Sequence, residues 1–141
     1  ASHASAYIME FYRTELHVAT FVYPLLESLK RTGYVLGVVS IREEPYHDEI
    51  KNIKLDSYFQ FILAGGEVKS FKPHRLIFKH ALELAGTSAQ ETLYIGDNYF
   101  ADVVGARRAG LTPVLYDPIS LFPDADCAII KSFAEIPDLL K

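Results

Sequence analysis

The chain lacks several features that would assign it quickly. It has no tryptophan, a single methionine and a single cysteine, Cys127. One thiol cannot close an internal disulfide, and Cys127 lies in an apolar stretch, so a buried, inert thiol is expected there. No apolar run approaches the ~20 residues that span a bilayer. The start has no basic region followed by an apolar one, so no signal peptide is read and a cytoplasmic protein is expected. A basic excess is missing too: the net charge is −4 with a pI near 5.7, which argues against nucleic acid and against an anionic membrane surface as partners. The absence with most consequence is that no aspartate precedes Asp48.

What is present is a well-supplied core. Half of the 141 residues are apolar, enough for one domain. Helical and extended patterns alternate along it. Val22–Arg31 reads as a helix with Leu25, Leu26 and Leu29 on one face and Gly33 just beyond its end. Tyr34–Val39 reads as a strand covered on both faces and ends at Ser40. A helix at Tyr46–Ile53 and a strand at Phe59–Ala64 follow, the latter broken by Gly65–Gly66. Glu67–Phe71 reads as a loop. The helix His74–Ala85 is expected to carry Leu76, Ile77, His80, Ala81 and Leu84 on or near one face, with Gly86 as its cap. Thr92–Ile95, a helix Phe100–Ala109, strands at Thr112–Tyr116 and Cys127–Ile130, and a final helix Phe133–Leu140 complete the chain. Such alternation predicts an α/β fold with a mostly parallel sheet and helices on both faces. Ser5–Phe21 fits either a helix or an aromatic strand.

The stretch Thr92–Gly110, TLYIGDNYFADVVGARRAG, concentrates the chemistry. Ligands of open parallel sheets sit beyond the carboxyl ends of the strands, and Asp97 falls at such an end. Asp102 follows in the first turn of the next helix and can fold back towards the same place. Two carboxylates converging there suit Mg²⁺, which takes hard oxygen ligands and keeps several waters. Gly105 and Ala106 are small enough to let that helix approach the strands.

Gly96-Asp97 with Asp102, Gly105-Ala106 and Ala109-Gly110 resembles the last motif of the haloacid dehalogenase (HAD) superfamily. Two further motifs stand upstream in the family's order. Ser40 closes a strand, and Lys72 in SFKPHRLIF is similar to the family's Lys-Pro-x-x-x-Ile-Phe. The resemblance covers roughly Tyr23 to Lys141. It implies a Rossmann-like three-layer α/β/α core and a Mg²⁺-dependent phosphate monoesterase working through an aspartyl-phosphate on a small phosphorylated substrate. It also implies roles. Ser40 and the Ile41 N–H would bind phosphate oxygens, although Ile41 stands where the family often has Asn. Lys72 would place a compact positive charge beside the phosphate. Asp97 and Asp102 would hold the metal or its water shell, with Asn98 behind them. A dehalogenase role fits less well, because paired carboxylates suit metal-dependent chemistry.

The family's first motif, Asp-x-Asp on the first central strand, is absent. Its first Asp is the nucleophile and its second the general acid and base, so this chain alone is expected to have no phosphatase turnover. The first central strand is itself expected to be missing. A slot would then open between two half-sheets, filled by Ala6–Tyr12, by a segment exchanged with a second copy, or by an N-terminal part of a longer protein. The last is the expectation. Residues 1–22 are accordingly read as an N-terminal segment, with Ala1–Ser5 a tag remnant or cut end and the remainder the end of a cap, and residues 23–141 as the core. The alternative reading is a non-catalytic HAD-fold binding or regulatory module. His47-Asp48-Glu49 and Arg107-Arg108 are read as solvated helix faces; His74 and His80 do not match a zinc-helix spacing.

Overall fold

The computed structural model describes residues 18–140 and the backbone of residues 2–5. Ser2–Ser5 (β1), Gly37–Ser40 (β2), Phe61–Ala64 (β3), Leu93–Gly96 (β4), Thr112–Tyr116 (β5) and Ala128–Ile130 (β6) form one sheet of order β3-β2-β1-β4-β5-β6. All its pairings are parallel. The central position expected to be empty is therefore filled, and from the segment read as a tag remnant. β1 pairs Ala4 with Val38 and Ser5 with Val39 on one side, and Ser2 with Leu93 and His3 with Tyr94 on the other. Ala6–Tyr12, the other candidate for the slot, lies outside the described residues.

Side-chain alternation along the strands explains the two cores. Val38, Ile62 and Ile95 point to one face, Val39, Phe61, Leu63 and Tyr94 to the other. Every residue of β2 and β3 is buried, as a strand covered on both sides requires. Val22–Arg31 (α1) and His47–Asn52 (α2) cover the first face through Leu26, Leu29 and Ile50, joined by Phe133 and Ile136 near the end of the chain. Arg75–Ala85 (α4) and Gly105–Arg108 (α5) cover the second face. The short helix Gly65–Val68 (α3) takes up the Gly65–Gly66 break and the first two residues of the expected loop, held where Glu67 accepts a hydrogen bond from the Ala64 N–H at 2.7 Å; Lys69–Phe71 stay non-helical. Ile136–Leu139 (α6), entered through a 3₁₀ turn at Phe133–Glu135, closes the chain. Among the described residues no helix is long and apolar enough to cross a membrane.

The buried face of α4 differs from the expected one. Ile77, Phe78, Ala81 and Ala85 are buried, whereas Leu76 and Leu84 are 41% and 47% exposed. Phe78 decides the rotation. Its ring meets Tyr94 edge-on at 5.0 Å, a favourable aromatic geometry, and it lies where a side chain on Gly105 would collide with it.

Candidate active site

β2 and β4 flank β1, so their carboxyl ends stand two strand spacings apart, roughly 10 Å. Ser40 lies one residue beyond the level of Ser5 on β2. Continuing the β1–β4 register places Asp97 one residue beyond the same level on β4. Ser40 is fully buried, Ile41 is 52% exposed and Asp97 is half-buried. The Oγ of Ser40 accepts a hydrogen bond from the Arg42 N–H at 3.1 Å.

Lys72 reaches the same rim from the loop before α4. Its Nζ donates to Asp102 Oδ1 at 2.7 Å, with both side chains almost wholly withdrawn from water. The ammonium also lies 5.6 Å from the centre of the Tyr94 ring, within cation–π range. Burial by itself would lower the Lys72 pKa; Tyr94 and Asp102 outweigh it and hold the group above the ordinary lysine range. Lys72 is therefore charged throughout the physiological range.

Asp102 sits on the segment Tyr99–Val104, which is a π-helical stretch and not the expected α-helix. The Val103 N–H donates to the Asn98 carbonyl, five residues back. Such widened turns recur at functional sites. Asn98 starts the segment, its Oδ1 accepting from the Ala101 N–H at 2.8 Å, while its own N–H donates to Asp102 Oδ2 at 2.9 Å. Asp102 thus packs so closely on β4 that a Cβ at Gly96 would fall inside its carboxylate. That close approach is the physical reason for glycine before Asp97. The two oxygens of Asp102 meet Lys72 and a backbone N–H; Asp97, half-buried, is the more exposed of the two carboxylates. Among the described residues, no three His, Cys, Asp or Glu side chains gather as a metal cage.

The structure brings Lys72 into contact with Asp102 and sets Ser40, Ile41 and Asp97 on the same rim. Arg107 and Arg108 are exposed on their helix, as expected, while one surface reading changes. Glu49 is not merely solvated: it accepts both arms of the Arg42 guanidinium. Arg107 pairs with Asp126, which also accepts the Tyr99 hydroxyl at 2.6 Å. Asp117 went unnoticed in the sequence. It is buried and accepts the N–H groups of Leu121 and Phe122, shaping the loop after β5. Its Asp-Pro opening was the available signal.

The comparisons agree with this architecture. The profile of the Haloacid dehalogenase-like hydrolase family matches residues 3–115. Pyrophosphatase PpaX of Bacillus mycoides (strain KBAB4) is 35% identical over 94 residues, 66% of this chain and 43% of that protein. The chain spans less than half the length of the curated relatives it matches. Among solved structures, a HAD phosphatase from Thermococcus onnurineus superposes with a TM-score of 0.79 at 29% identity, over 94% of this chain and 62% of that one. A 2-haloacid dehalogenase from Pseudomonas syringae pv. Tomato DC3000 gives 0.79 at 28% identity, over 89% and 54%. With its parallel sheet, its three motifs in order and a family match over most of its length, the chain belongs to the haloacid dehalogenase-like hydrolases.

Proposed function

We propose that this chain carries the phosphate- and cation-binding half of a phosphohydrolase acting on a phosphate monoester or a pyrophosphate. The observation that carries the reading is the buried pair of Lys72 and Asp102 beside Asp97 at the carboxyl rim. Holding a charge in the interior costs several kcal/mol per ion unless its partner is well placed. An ammonium fixed there supplies a stationary counter-charge for phosphoryl transfer, which depends mainly on positioning and charge neutralisation. Ser40 and the Ile41 N–H offer hydrogen-bond donors two strands away. Asp97 is the direct Mg²⁺ ligand in this reading, and Asp102 orients Lys72 behind it. Mg²⁺ commonly takes one or two carboxylates and retains waters, so this donor set fits it. When bound, the cation neutralises charge on the phosphate oxygens. The curated sequence relatives are named pyrophosphatase, which supports phosphorus chemistry, while the solved structures include a phosphatase and a dehalogenase alike.

No aspartate precedes Asp48, which favours a second reading, a family member that binds without turnover. Hydrolysis of an aryl phosphate with Mg²⁺ separates the two. The chain as it stands is expected to give no turnover. A variant with residues 2–8 replaced by an apolar strand ending in Asp-x-Asp is expected to turn over, and Asp97→Asn is expected to abolish that activity. Turnover by the unmodified chain that is lost in Asp97→Asn would contradict the expected inactivity. A folded but inactive replacement variant would favour the binding module.

A further inference from the structure

The turn after β2 is tied down more heavily than an exposed loop requires, and the ties meet on Arg42. Its backbone N–H donates to Ser40 Oγ at 3.1 Å. Its carbonyl accepts from the Gly66 N–H at 3.0 Å, joining the turn to the one after β3. That junction is backbone against backbone, since a Cβ at Gly66 would overlap the Glu43 carbonyl. The guanidinium grips the Glu49 carboxylate of α2 with both arms, Nη1 meeting Oε2 at 2.6 Å and Nη2 meeting Oε1. It also lies 4.9 Å from the ring centre of Tyr46, which is buried in the core at the start of the same helix. A bidentate arginine–carboxylate pair fixes orientation as well as distance.

We propose that Arg42 is the positioning residue of the anion cradle, locking the Ser40–Ile41 turn through Glu49, Tyr46 and Gly66 without itself touching the anion. This inference rests on the reading of Ser40 and Ile41 as phosphate donors. The Ser40 oxygen accepts from the Arg42 N–H, so the hydrogen that Ser40 donates leaves in another direction. Both arms of the guanidinium are engaged by Glu49. His47 and Asp48 on the same helix stay exposed, so Glu49 is the member of that acidic run that the fold uses.

The test is inorganic phosphate binding, followed by ³¹P NMR, with a charge exchange. Arg42→Glu and Glu49→Arg are each expected to weaken phosphate binding about tenfold, the scale of one well-placed hydrogen bond. The double variant, which rebuilds the pair in reverse, is expected to recover most of that loss. Arg42→Lys keeps the charge but loses the fork and is expected to fall in between. Amide exchange at Arg42 and Gly66 should quicken in the single variants and slow again in the double, so a partly unfolded variant is recognised by exchange spreading beyond the turn. Single variants that bind as tightly as the wild type overturn the proposal. So does a double variant as weak as Arg42→Glu with exchange restored, because that result places Arg42 on the anion. If Ser40→Ala and Lys72→Met bind phosphate like the wild type, or the wild type binds none, the phosphate site itself is overturned.

Discussion

Lys72 and Asp102 are charges taken almost wholly out of water, and each is tolerable because of the other. Removing one partner of such a pair strands the second. Lys72→Met is therefore expected to cost about 3–5 kcal/mol, read from urea unfolding; a loss below about 1 kcal/mol would mean that water reaches Asp102 and the pair is not sealed. The pH dependence has a definite sign. The folded pKa of Lys72 is raised above its ordinary value. Its contribution is complete below the unfolded value of about 10.4 and is lost as pH rises through the folded one. The stability that Lys72 contributes should thus stay whole through neutral pH and fade only in strong alkali.

Among the elements, α4 separates what the pattern of residues could say from what packing decided. Its existence, its start after Pro73 and its end at Gly86, with φ of 70°, follow from local chemistry. The face it buries does not, because Leu76, Phe78 and Leu84 are all apolar and the choice among them was made by Tyr94 and Gly105. Phe78→Ala is expected to cost about 3–5 kcal/mol. Leu76→Ala and Leu84→Ala should stay within roughly 0.5 kcal/mol of wild type. Equal losses at Phe78 and Leu84, in thermal or denaturant unfolding, would restore the face expected from the sequence. The π-helical stretch at Tyr99–Val104 was illegible for a related reason. Nothing in NYFADVV distinguishes a five-residue from a four-residue hydrogen bond; the wider turn comes with the seating of Asp102 between Lys72 and the Asn98 N–H. The Arg42–Glu49 clasp was equally hidden, since seven residues and a turn separate its partners.

For the molecule as a whole, the decisive element is the one the sequence concealed. SHAS has one small apolar residue, Ala4, and no β-branched one, unlike the usual central parallel strand, yet β1 holds the middle of the sheet. Its contribution is expected to come from backbone pairing on two sides more than from side chains. β2 and β4 belong to opposite halves of the sheet, and β1 supplies the pairing between them. Without it, their inner edges would face each other across roughly 10 Å with unpaired N–H and C=O groups, a configuration that recruits other chains. Deleting residues 1–5 should therefore broaden or abolish the cooperative unfolding transition and produce association that grows with protein concentration, measured by light scattering beside urea unfolding. The same deletion would release Ser40 and Asp97 from a common level, so phosphate binding should fail along with cooperativity. A truncated chain that stays monomeric and unfolds with an unchanged midpoint would show that the two halves are held together by their helices, and that the rim does not depend on β1 for its geometry.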